Sequence, residues 1–472
     1  MSLRNGRGYR PRLRRNTISV SNFGDSLAEA YCLSVCYHRG RGHLRSPTNQ
    51  RLRPRAGKLN PVIASSSSSV TSDSQFADSE GILPRQEIAE MVKRGLICSA
   101  FTILPRQLQP ASLDLRLGEV AIRVQCSFLP GKEPVKDKLT KYASHTLDLV
   151  RGAVLEPGAV YIIPLMEEVR LPKGLRAKAN PRSSTGRLDI FTRVISDRSD
   201  RFDEISDGYQ GPLFLEVVTR SFPVRVERYL SLSQIRFVRG TSRCSTDEIM
   251  TIYDEQGPLL YEGETPVARE EIIRRGGLFL QVDLSGIGGT HCVGYKAKKN
   301  SQLIDLSRLD HYAVFDYWEP VFRDSRGQLI LERDHFYLLT SKDKVRIPAS
   351  CAAEMVAYEE TSGELRTHYA GFFDPGFGYG RQGEIKGTVA VMEVRALDAP
   401  FMVEDGQRFC RLHLERMAVP PDQVYGSRDI GSSYQFQGLT PSKHFRMPRP
   451  DEIKKRAFDP QQLLFEMDPG RG

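Results

Sequence analysis

The sequence predicts an all-β protein of two tandem barrel-like domains with a few short helices. Two observations lead to this prediction. Short runs rich in β-branched and aromatic residues, such as residues 160–163, 191–195 and 213–218, alternate with Gly, Pro and Asp at intervals typical of β-sandwiches and barrels. A pattern from the first half of the chain also returns in the second half, which indicates that one β-domain occurs twice.

Composition and charge exclude several classes of protein. The 472 residues contain no run of about 18 apolar residues, so we expect no membrane-spanning helix. The net charge is +9, but residues 1–60 hold 13 basic and 2 acidic residues, which leaves −2 for the remainder and argues against a nucleic-acid-binding body. The eight cysteines are scattered without a CxxC pair, as expected for reduced thiols in a cytoplasmic protein.

The amino-terminal residues 1–78 are predicted to form a disordered tail. They combine an Arg-rich start with a serine run at 65–69 and show no sustained helical or strand period. The tail is interpreted either as a transit peptide or nucleic-acid-touching arm, or as an incidental extension. Ordered structure is predicted from about Gly81, where Pro84 begins a short helix that ends near Gly95.

The internal repeat sets the predicted domain boundaries. Residues 154–172 resemble residues 330–348 at a constant offset of 176, and with one inserted residue Glu216 aligns with Glu393. We therefore predict a first β-domain at 79–245, a joint or linker at 246–276, a second β-domain at 277–420 and a carboxy-terminal lid at 421–472.

A loop in the first domain has the composition of a phosphate-binding site. Arg182 and Arg187 flank a glycine and three hydroxyl residues, namely Ser183, Ser184 and Thr185. Guanidinium groups donate charge-assisted hydrogen bonds to phosphate, hydroxyls add further donors, and Gly186 allows close approach of the backbone. The alternative interpretation of the loop alone is a polar surface turn.

A glutamate lies inside a strongly apolar strand of the same domain. Glu216 follows the turn at residues 207–211 and is flanked by leucine and valine. Because an unpaired buried carboxylate costs several kcal/mol, such a residue is paired, raised in pKa or used chemically. The alternative is an ordinary solvated residue on the outward face of an edge strand.

Three segments together resemble the dCTP deaminase branch of the dUTPase-like superfamily. They are residues 109–118, 181–187 and 208–216, and the resemblance is close over 82–240 and looser in the second half, as in the longer, internally duplicated form. It implies a dUTPase-like jelly-roll fold and hydrolysis of a cyclic-amidine C–N bond, converting dCTP to dUTP and ammonia in thymidylate-precursor synthesis. The chain lacks the P-C-x-x-C element that zinc deaminases need beside their H-x-E, so we expect no zinc, with Mg²⁺ accompanying the triphosphate.

The resemblance also implies roles for individual residues. Glu216 would be the catalytic base, while Ser183 and Arg187 would hold the water and stabilise the tetrahedral centre. The implied substrate-binding residues of the first domain are Arg182, Ser184, Thr185, Asp207 and Tyr209.

The family's nucleotide-covering tail has two matches in the chain. Tyr434 and Gln437 lie near the carboxy terminus and are favoured as the lid, because a lid requires a mobile segment. Tyr253 and Gln256 have the same spacing and keep the second possibility open. A polar loop is the alternative interpretation for either match.

The second domain departs from the family pattern in its loop. Tyr358, Glu359 and Glu360 stand at the positions of residues 182–184, and Glu364 replaces Arg187. Since added carboxylates would repel a triphosphate, this domain is predicted to be a degenerate structural partner, with Glu393 retained by inheritance. It remains possible that this domain walls the pocket of the first.

The sequence leaves other functions open and also predicts the partners of the protein. A bifunctional dCTP deaminase and dUTP diphosphatase, or a plain dUTP diphosphatase, is possible because the same fold and phosphate loop serve both reactions. A non-enzymatic nucleotide-binding β-protein is the remaining alternative. The family resemblance implies a trimer-based homo-oligomer, with dCTP as substrate and with neither nucleic acid nor membrane as partner.

Overall fold

The computed structural model describes residues 79–287, 289–356, 371–396, 399–430, 432–449 and 452–453, together with the backbone of 365–367. The predicted tail at 1–78 and the loop positions Tyr358, Glu359, Glu360 and Glu364 lie outside these ranges. Within them the prediction of an all-β fold with few short helices is confirmed.

The first domain consists of thirteen strands among the described residues, with three short helices. The strands are β1 (Gly81–Ile82), β2 (Ile97–Ser99), β3 (Leu113–Arg116), β4 (Val120–Val124), β5 (Ala143–Asp148), β6 (Ala153–Leu155), β7 (Val160–Arg170), β8 (Leu175–Pro181), β9 (Ile190–Ser196), β10 (Glu204–Ile205), β11 (Gln210–Thr219), β12 (Val224–Val226) and β13 (Ser231–Arg239). The helices are α1 (Arg85–Lys93), α2 (Val135–Tyr142) and α3 (Ser183–Gly186), and a single 3₁₀ turn covers Pro105–Gln107.

The second domain and the segment before it supply the remaining elements. The helices are α4 (Thr246–Gln256), α5 (Arg269–Arg275) and α6 (Val314–Tyr317). The strands are β14 (Leu260–Glu262), β15 (Thr265–Pro266), β16 (Leu278–Gln281), β17 (Cys292–Ala297), β18 (Ile304–Asp305), β19 (Tyr312–Ala313), β20 (Trp318–Phe322), β21 (Gln328–Leu331), β22 (Phe336–Val345), β23 (Cys351–Met355), β24 (Leu365–Thr367), β25 (Phe372–Phe373), β26 (Thr388–Ala396), β27 (Phe401–Glu404), β28 (Arg408–Arg416) and β29 (Phe445–Arg446). None of the helices in the described ranges is long and apolar enough to cross a membrane.

The two domains share one strand order. The larger sheet runs β5-β4-β7-β11-β9 in the first domain and β20-β17-β22-β26-β24 in the second. The facing sheet runs β3-β13-β8-β10 in the first and β16-β28-β23-β25 in the second. A small two-stranded pairing also recurs, β6 with β12 and β21 with β27. The apolar faces of the sheets are buried in two cores. One core combines the first domain with second-domain residues such as Leu338 and Val391, and the other lies mainly in the second domain and the segment before it.

One buried tyrosine illustrates how closely the two domains correspond. The hydroxyl of Tyr161 accepts a hydrogen bond from the backbone N–H of Glu156 at 3.3 Å. In the second domain Tyr337 accepts one from the N–H of Glu332 at 2.9 Å. Both contacts close the turn between a short strand and the long central strand, so the same residue spacing produces the same local structure.

The segment at 246–276, predicted to be a linker, is folded onto the second domain. Ser245 caps α4, because its hydroxyl accepts a hydrogen bond from the N–H of Glu248. Strand β14 pairs antiparallel with the long strand β22, and β15 pairs with β14. The segment therefore extends the larger sheet of the second domain and is not a free connection.

Buried polar contacts hold the two domains together. The guanidinium of Arg236 on β13 is fully buried and donates to the carbonyl of Phe373 at 2.8 Å and to Asp374 Oδ1 at 3.2 Å. Phe222 and Trp318 meet edge to face, with ring centroids 5.3 Å apart. With these contacts between the domains, α3 of the first domain lies against β26 of the second.

Candidate active site

The phosphate-binding loop predicted from the sequence forms one turn of helix at the end of β8. Pro181 ends the strand, and Arg182 has an extended backbone whose N–H bonds the carbonyl of Leu232 at 3.0 Å. The N–H groups of Thr185 and Gly186 then bond back to the carbonyl of Arg182, and the N–H of Arg187 bonds to that of Ser183. This turn gives Ser183 and Arg187 fixed positions one helical turn apart.

A carboxylate from the other domain lies against this turn. Glu393 is located on β26, opposite Leu338 of β22, and is 3% exposed. A methyl group added to Gly186 would lie 2.4 Å from each carboxylate oxygen of Glu393, so glycine is the residue type that leaves room for the acid there. The loop and the acid therefore meet across the domain boundary.

A pocket opens at this boundary and takes residues from three parts of the chain. The first domain contributes Gln109, Arg182, Ser183, Ser184, Arg187 and Gln234. The second domain contributes Met355, Phe372, Phe373, Asp374, Phe377, Ala390, Val391 and Glu393, and the carboxy-terminal segment contributes Tyr425, Ser433, Tyr434, Gln437 and Lys443. The polar groups converge from several elements onto one cleft, as in ligand-binding sites generally.

The carboxy-terminal segment holds Arg187 in place. The two terminal nitrogens of Arg187 donate to the carbonyl of Thr440 at 2.8 Å and to Gln437 Oε1 at 2.7 Å. The guanidinium also stacks on the ring of Tyr434, 3.8 Å from its centroid. Gln437 is itself anchored by a hydrogen bond to the carbonyl of Val389 on the second domain. Arg187 is thus oriented by the tail and not by its own domain alone.

Two half-buried cations and one buried acid lie together beside the loop. Arg182 forms an ion pair with Asp114 of β3 at 3.1 Å. Burial raises the pKa of Asp114 to about 6, although Arg182 and Lys443 oppose the rise. Burial, with Arg182 nearby, lowers the pKa of Lys443 to about 8. The cluster carries a net positive charge and is suited to bind a polyanion.

Two acidic side chains near the pocket have cationic partners. Asp114 is paired with Arg182, and Asp374, whose pKa is raised by burial, is paired with Arg236. In the described ranges there is no group of three or more His, Cys, Asp and Glu side chains that could hold a metal ion.

The glutamate chosen from the sequence as the base lies elsewhere. Glu216 on β11 is fully buried and faces Arg193 on the neighbouring strand β9. The Nε of Arg193 donates to Glu216 Oε1 at 2.9 Å, and the same guanidinium donates to the hydroxyl of Ser127. Glu216 is not among the residues that line the pocket with Ser183 and Arg187.

Comparisons with known proteins identify the family of this chain. The family description "2'-deoxycytidine 5'-triphosphate deaminase (DCD) N-terminal domain" matches residues 79–241, and the corresponding C-terminal-domain description matches residues 254–445. This chain belongs to the dCTP deaminase family. The family resemblance inferred from the sequence is therefore confirmed.

Individual relatives within the dCTP deaminase family match one or both halves. A crystal structure titled as the 2'-deoxycytidine 5'-triphosphate deaminase of Agrobacterium tumefaciens is 44% identical, covers 72% of this chain and 99% of its own, and superposes with a TM-score of 0.67. A dCTP deaminase of Haloarcula marismortui is 32% identical over 134 residues, which are 28% of this chain and 66% of that protein. A "dCTP deaminase, dUMP-forming" of Dictyoglomus turgidum is 28% identical over 166 residues, 34% of this chain and 80% of that protein.

Three other residues assigned from the family pattern do not line the pocket. Asp207 is exposed and accepts a hydrogen bond from the N–H of Gly174 at the turn before β11. The hydroxyl of Tyr209 donates to the carbonyl of Pro212, which stabilises the same turn. Thr185 is buried within α3. By contrast Arg182, Ser183, Ser184, Arg187, Tyr434 and Gln437 all line the pocket.

The competing tail match has a structural role in α4. The hydroxyl of Tyr253 donates to the carbonyl of Val267, and the side chain of Gln256 donates to Ser350. Both contacts fix α4 on the second domain, far along the chain from the pocket-lining segment at 433–443. The dCTP deaminase pattern at 434–437 is the one that reaches the pocket.

Several pocket residues were not assigned from the sequence, although signals for them existed. Glu393 was aligned with Glu216 and interpreted as inherited, and Lys443 follows the tail motif. Asp374 lies in the chain before the strand of Glu393. Asp114, within the quoted motif at 109–118, does not line the pocket and acts there only through its ion pair with Arg182. The positions of Glu393, Asp374 and Lys443 in the pocket depend on how the second domain and the tail pack against the first domain.

Proposed function

We propose that this chain is a dCTP deaminase that hydrolyses dCTP to dUTP and ammonia, with Glu393 as the general base. The observation that carries this proposal is the contact of the Glu393 carboxylate with the helical turn at Gly186, one residue from Arg187. The acid is buried at 3% exposure and lines the same pocket as Ser183 and Arg187. A base at this position would lie beside Ser183 and Arg187, the residues to which the family pattern assigns the water and the transition state.

The proposed mechanism is a series of proton transfers in which Glu393 is the base. Glu393 takes a proton from a water molecule that attacks C4 of the cytosine ring, and the proton passes to N3. Glu393 then carries the proton of the new C4 hydroxyl to the amino group, the C4–N bond breaks as the C4=O bond forms, and ammonia leaves. Ser183 and Arg187 hold the water and stabilise the oxyanion that develops at C4, where fixed donors act most strongly. The proposed step uses no zinc.

The positive cluster beside the loop is the proposed triphosphate site. Arg182, Ser184 and Lys443 offer a guanidinium, a hydroxyl and an ammonium on one side of the pocket. Mg²⁺ would arrive as part of the substrate, bound by the phosphates, because Asp114 and Asp374 are paired with arginines and Glu393 is assigned to the base. The dUTP formed would supply thymidylate-precursor synthesis.

The proposal changes the role of the second domain. It supplies the base and a wall of the pocket, and it is therefore more than a structural partner. We infer that the two domains descend from an internal duplication, supported by their shared strand order, and that one has kept the loop while the other has kept the working acid. Glu216 is assigned a structural role with Arg193.

The decisive experiment compares two matched substitutions, Glu393→Gln and Glu216→Gln. Purified protein is incubated with dCTP and Mg²⁺, and ammonia, dUTP, dUMP and pyrophosphate are measured together. We expect Glu393→Gln to lower kcat by about 10²-fold or more, since a positioned general base contributes about 10²–10⁴-fold, while Glu216→Gln keeps most activity. Loss of activity in Glu216→Gln alone, with both variants folded, would reverse the assignment.

A second candidate is the bifunctional enzyme that continues from dUTP to dUMP and pyrophosphate. It is favoured by one observation, that dUMP-forming dCTP deaminases are among the relatives of this chain. Ammonia with dUTP and no pyrophosphate supports the monofunctional enzyme, and ammonia with equal pyrophosphate supports the bifunctional one. No ammonia from dCTP would leave a dUTP diphosphatase or a binding protein. The cytoplasmic location and the trimer-based assembly stay predictions.

A further inference from the structure

A buried ion pair crosses the domain boundary close to the proposed base. The guanidinium of Arg395 on β26 donates a hydrogen bond to Oδ2 of Asp189, which lies two residues after Arg187. Asp189 is fully buried and Arg395 is 6% exposed. Neither residue of the pair lines the pocket, so any effect of the pair on the reaction passes through the groups that it holds.

Each end of this ion pair is fixed in its own domain. The hydroxyl of Ser221 donates to Asp189 Oδ2 at 2.5 Å, and the backbone N–H of Asp189 donates to the carbonyl of Gly186 at 2.9 Å. On the other side, the second terminal nitrogen of Arg395 donates to the backbone carbonyl of Asp334. Such a pair resists displacement, because separating the two groups would leave a buried charge without compensation.

The ion pair lies in register with the contact between Glu393 and Gly186. Glu393 and Arg395 are two residues apart on β26, so their side chains leave the same face of the strand about 7 Å apart. The strand is thus attached to the turn at two neighbouring points, Glu393 against Gly186 and Arg395 against Asp189. The second point prevents the strand from sliding along the turn, which the first contact alone would not do.

The internal repeat shows that the sequence provides this pair at one of two equivalent positions. At the offset that aligns the two strand glutamates, Arg395 aligns with Val218 of β11. At the same offset Asp189 aligns with Arg366. Valine cannot form an ion pair, so the arginine accompanies only the glutamate that faces the loop, and the aspartate accompanies only the loop that lines the pocket.

We propose that Asp189 and Arg395 are positioning residues for the deamination. Their ion pair holds Glu393 at the loop that contributes Ser183 and Arg187 to the pocket. This inference rests on the proposed function, in which Glu393 is the base. Because the pair lies outside the pocket, its loss shifts the carboxylate and leaves the groups of the proposed triphosphate site in place. The expected signature is a fall in kcat with little change in KM, since displacing a catalytic group by about 1 Å costs about 10²-fold.

The test uses Arg395→Met, Asp189→Asn and the double variant, each assayed with dCTP and Mg²⁺. We expect Arg395→Met to lower kcat by about 10- to 100-fold and to change KM by less than about threefold. The double variant should lose no more activity than the more impaired single variant, because both substitutions remove one interaction. It also leaves no uncompensated charge, so it serves as the test protein if a single variant does not fold.

A second ion pair across the same boundary provides the matched control. Arg225 on β12 pairs with Asp305 on β18 at 3.1 Å, and neither residue lines the pocket. Arg225→Met should therefore keep the wild-type kcat even if it lowers the unfolding temperature. Amide hydrogen exchange at residues 183–189 adds a measurement that does not depend on activity. It should become faster in the double variant and stay unchanged in Arg225→Met, because only the double variant releases the turn from β26.

The outcomes separate this inference from the proposed function. A wild type that does not deaminate dCTP, or an active Glu393→Gln, overturns the proposed function and this inference together. If Glu393→Gln is inactive but the folded Arg395→Met and double variants keep the wild-type kcat, only the positioning role is overturned, and the pair is purely structural. Unchanged exchange at 183–189 in the double variant also overturns the positioning role.

Discussion

Glu216 and Glu393 occupy the same position in the two central strands β11 and β26, yet they have different neighbours. Glu216 is opposite Ile162 and is paired with Arg193 of its own domain. Glu393 is opposite Leu338 and lies against Gly186 of the other domain. The same acid on the same strand is thus held in an ion pair in one domain and faces the catalytic loop in the other.

The space at Gly186 should be essential for activity but not for folding. Gly186→Ala would push a methyl group into the Glu393 carboxylate, while alanine itself favours the helical turn. Because small misplacements of catalytic groups cost about 10²-fold, we expect kcat to fall by roughly that factor. Steady-state kinetics and thermal unfolding measure both effects. Gly438→Ala, which meets no neighbouring atom, should change neither, and an active Gly186→Ala would refute the assigned contact.

Glu216 should contribute to stability and little to chemistry. In Glu216→Gln the new amide N–H₂ would replace a buried oxygen that has no hydrogen-bond partner, and the charge facing Arg193 would be lost. We expect the free energy of unfolding to fall by about 1–3 kcal/mol, measured by urea denaturation. The exposed pair Arg201–Glu204 provides the control, since Glu204→Gln should cost less than about 1 kcal/mol. Equal effects of the two substitutions would contradict the buried role.

The ring of Tyr434 should affect substrate binding through Arg187. Tyr434→Ala removes the surface on which the guanidinium stacks, and Tyr434→Phe keeps it. A cation–π contact contributes about 0.5–2 kcal/mol, so we expect kcat/KM to fall about 2- to 30-fold in the alanine variant and far less in the phenylalanine variant. The neighbouring Phe436 is 82% exposed, and Phe436→Ala should leave kcat/KM unchanged. If the alanine variants of both positions behave alike, the contact has no functional role.

The decline of kcat/KM at alkaline pH should report the deprotonation of Lys443. The folded-state pKa of this lysine is lowered to about 8 by burial and by Arg182, so its charge is present below pH 8 and is lost as the pH rises through that value. We expect kcat/KM, which reports the free enzyme, to decline above about pH 8, while kcat declines less because bound phosphate retains the proton. Lys443→Arg should remove the decline, since arginine stays charged. If kcat/KM of Lys443→Arg declines as in the wild type, the decline belongs to another titrating group.

The same lowered pKa has a consequence for stability. The unfolded chain holds the Lys443 proton up to about pH 10.5, while the folded chain loses it near pH 8. Between these values the unfolded state binds more protons, so this residue makes the folded state more stable as the pH rises. Relative to Lys443→Met, the wild type should therefore gain stability from pH 8 to pH 10, measured by denaturation at each pH. A constant difference between the two proteins over that range would contradict the shift.

Most of the local structure followed from local patterns in the sequence. Proline at position 84 and helical spacing predicted α1, and β-branched runs predicted β7, β9 and β11. The repeat of residues 154–172 predicted corresponding strands in the second domain, and the composition of 182–187 identified the loop that lines the pocket. Each of these features depends on residues close together in the chain, whose hydrogen bonds and side-chain periodicity are set locally.

The docking of the domains decided the rest, because it brings together residues about 200 positions apart. Glu216 and Glu393 both have apolar neighbours along their strands, so no local pattern predicts which one faces Ser183 and Arg187. The packing of the two domains makes that choice, with Arg236 donating hydrogen bonds to Phe373 and Asp374 of the second domain. The tail contributes as well, because it brings Tyr434 and Gln437 to Arg187. The segment at 246–276 likewise joins a sheet because β22 offers an edge, a property of the folded domain and not of the segment itself. The sequence by itself determined the strands, the repeat and the loop, and the tertiary structure alone decided which carboxylate lies against that loop.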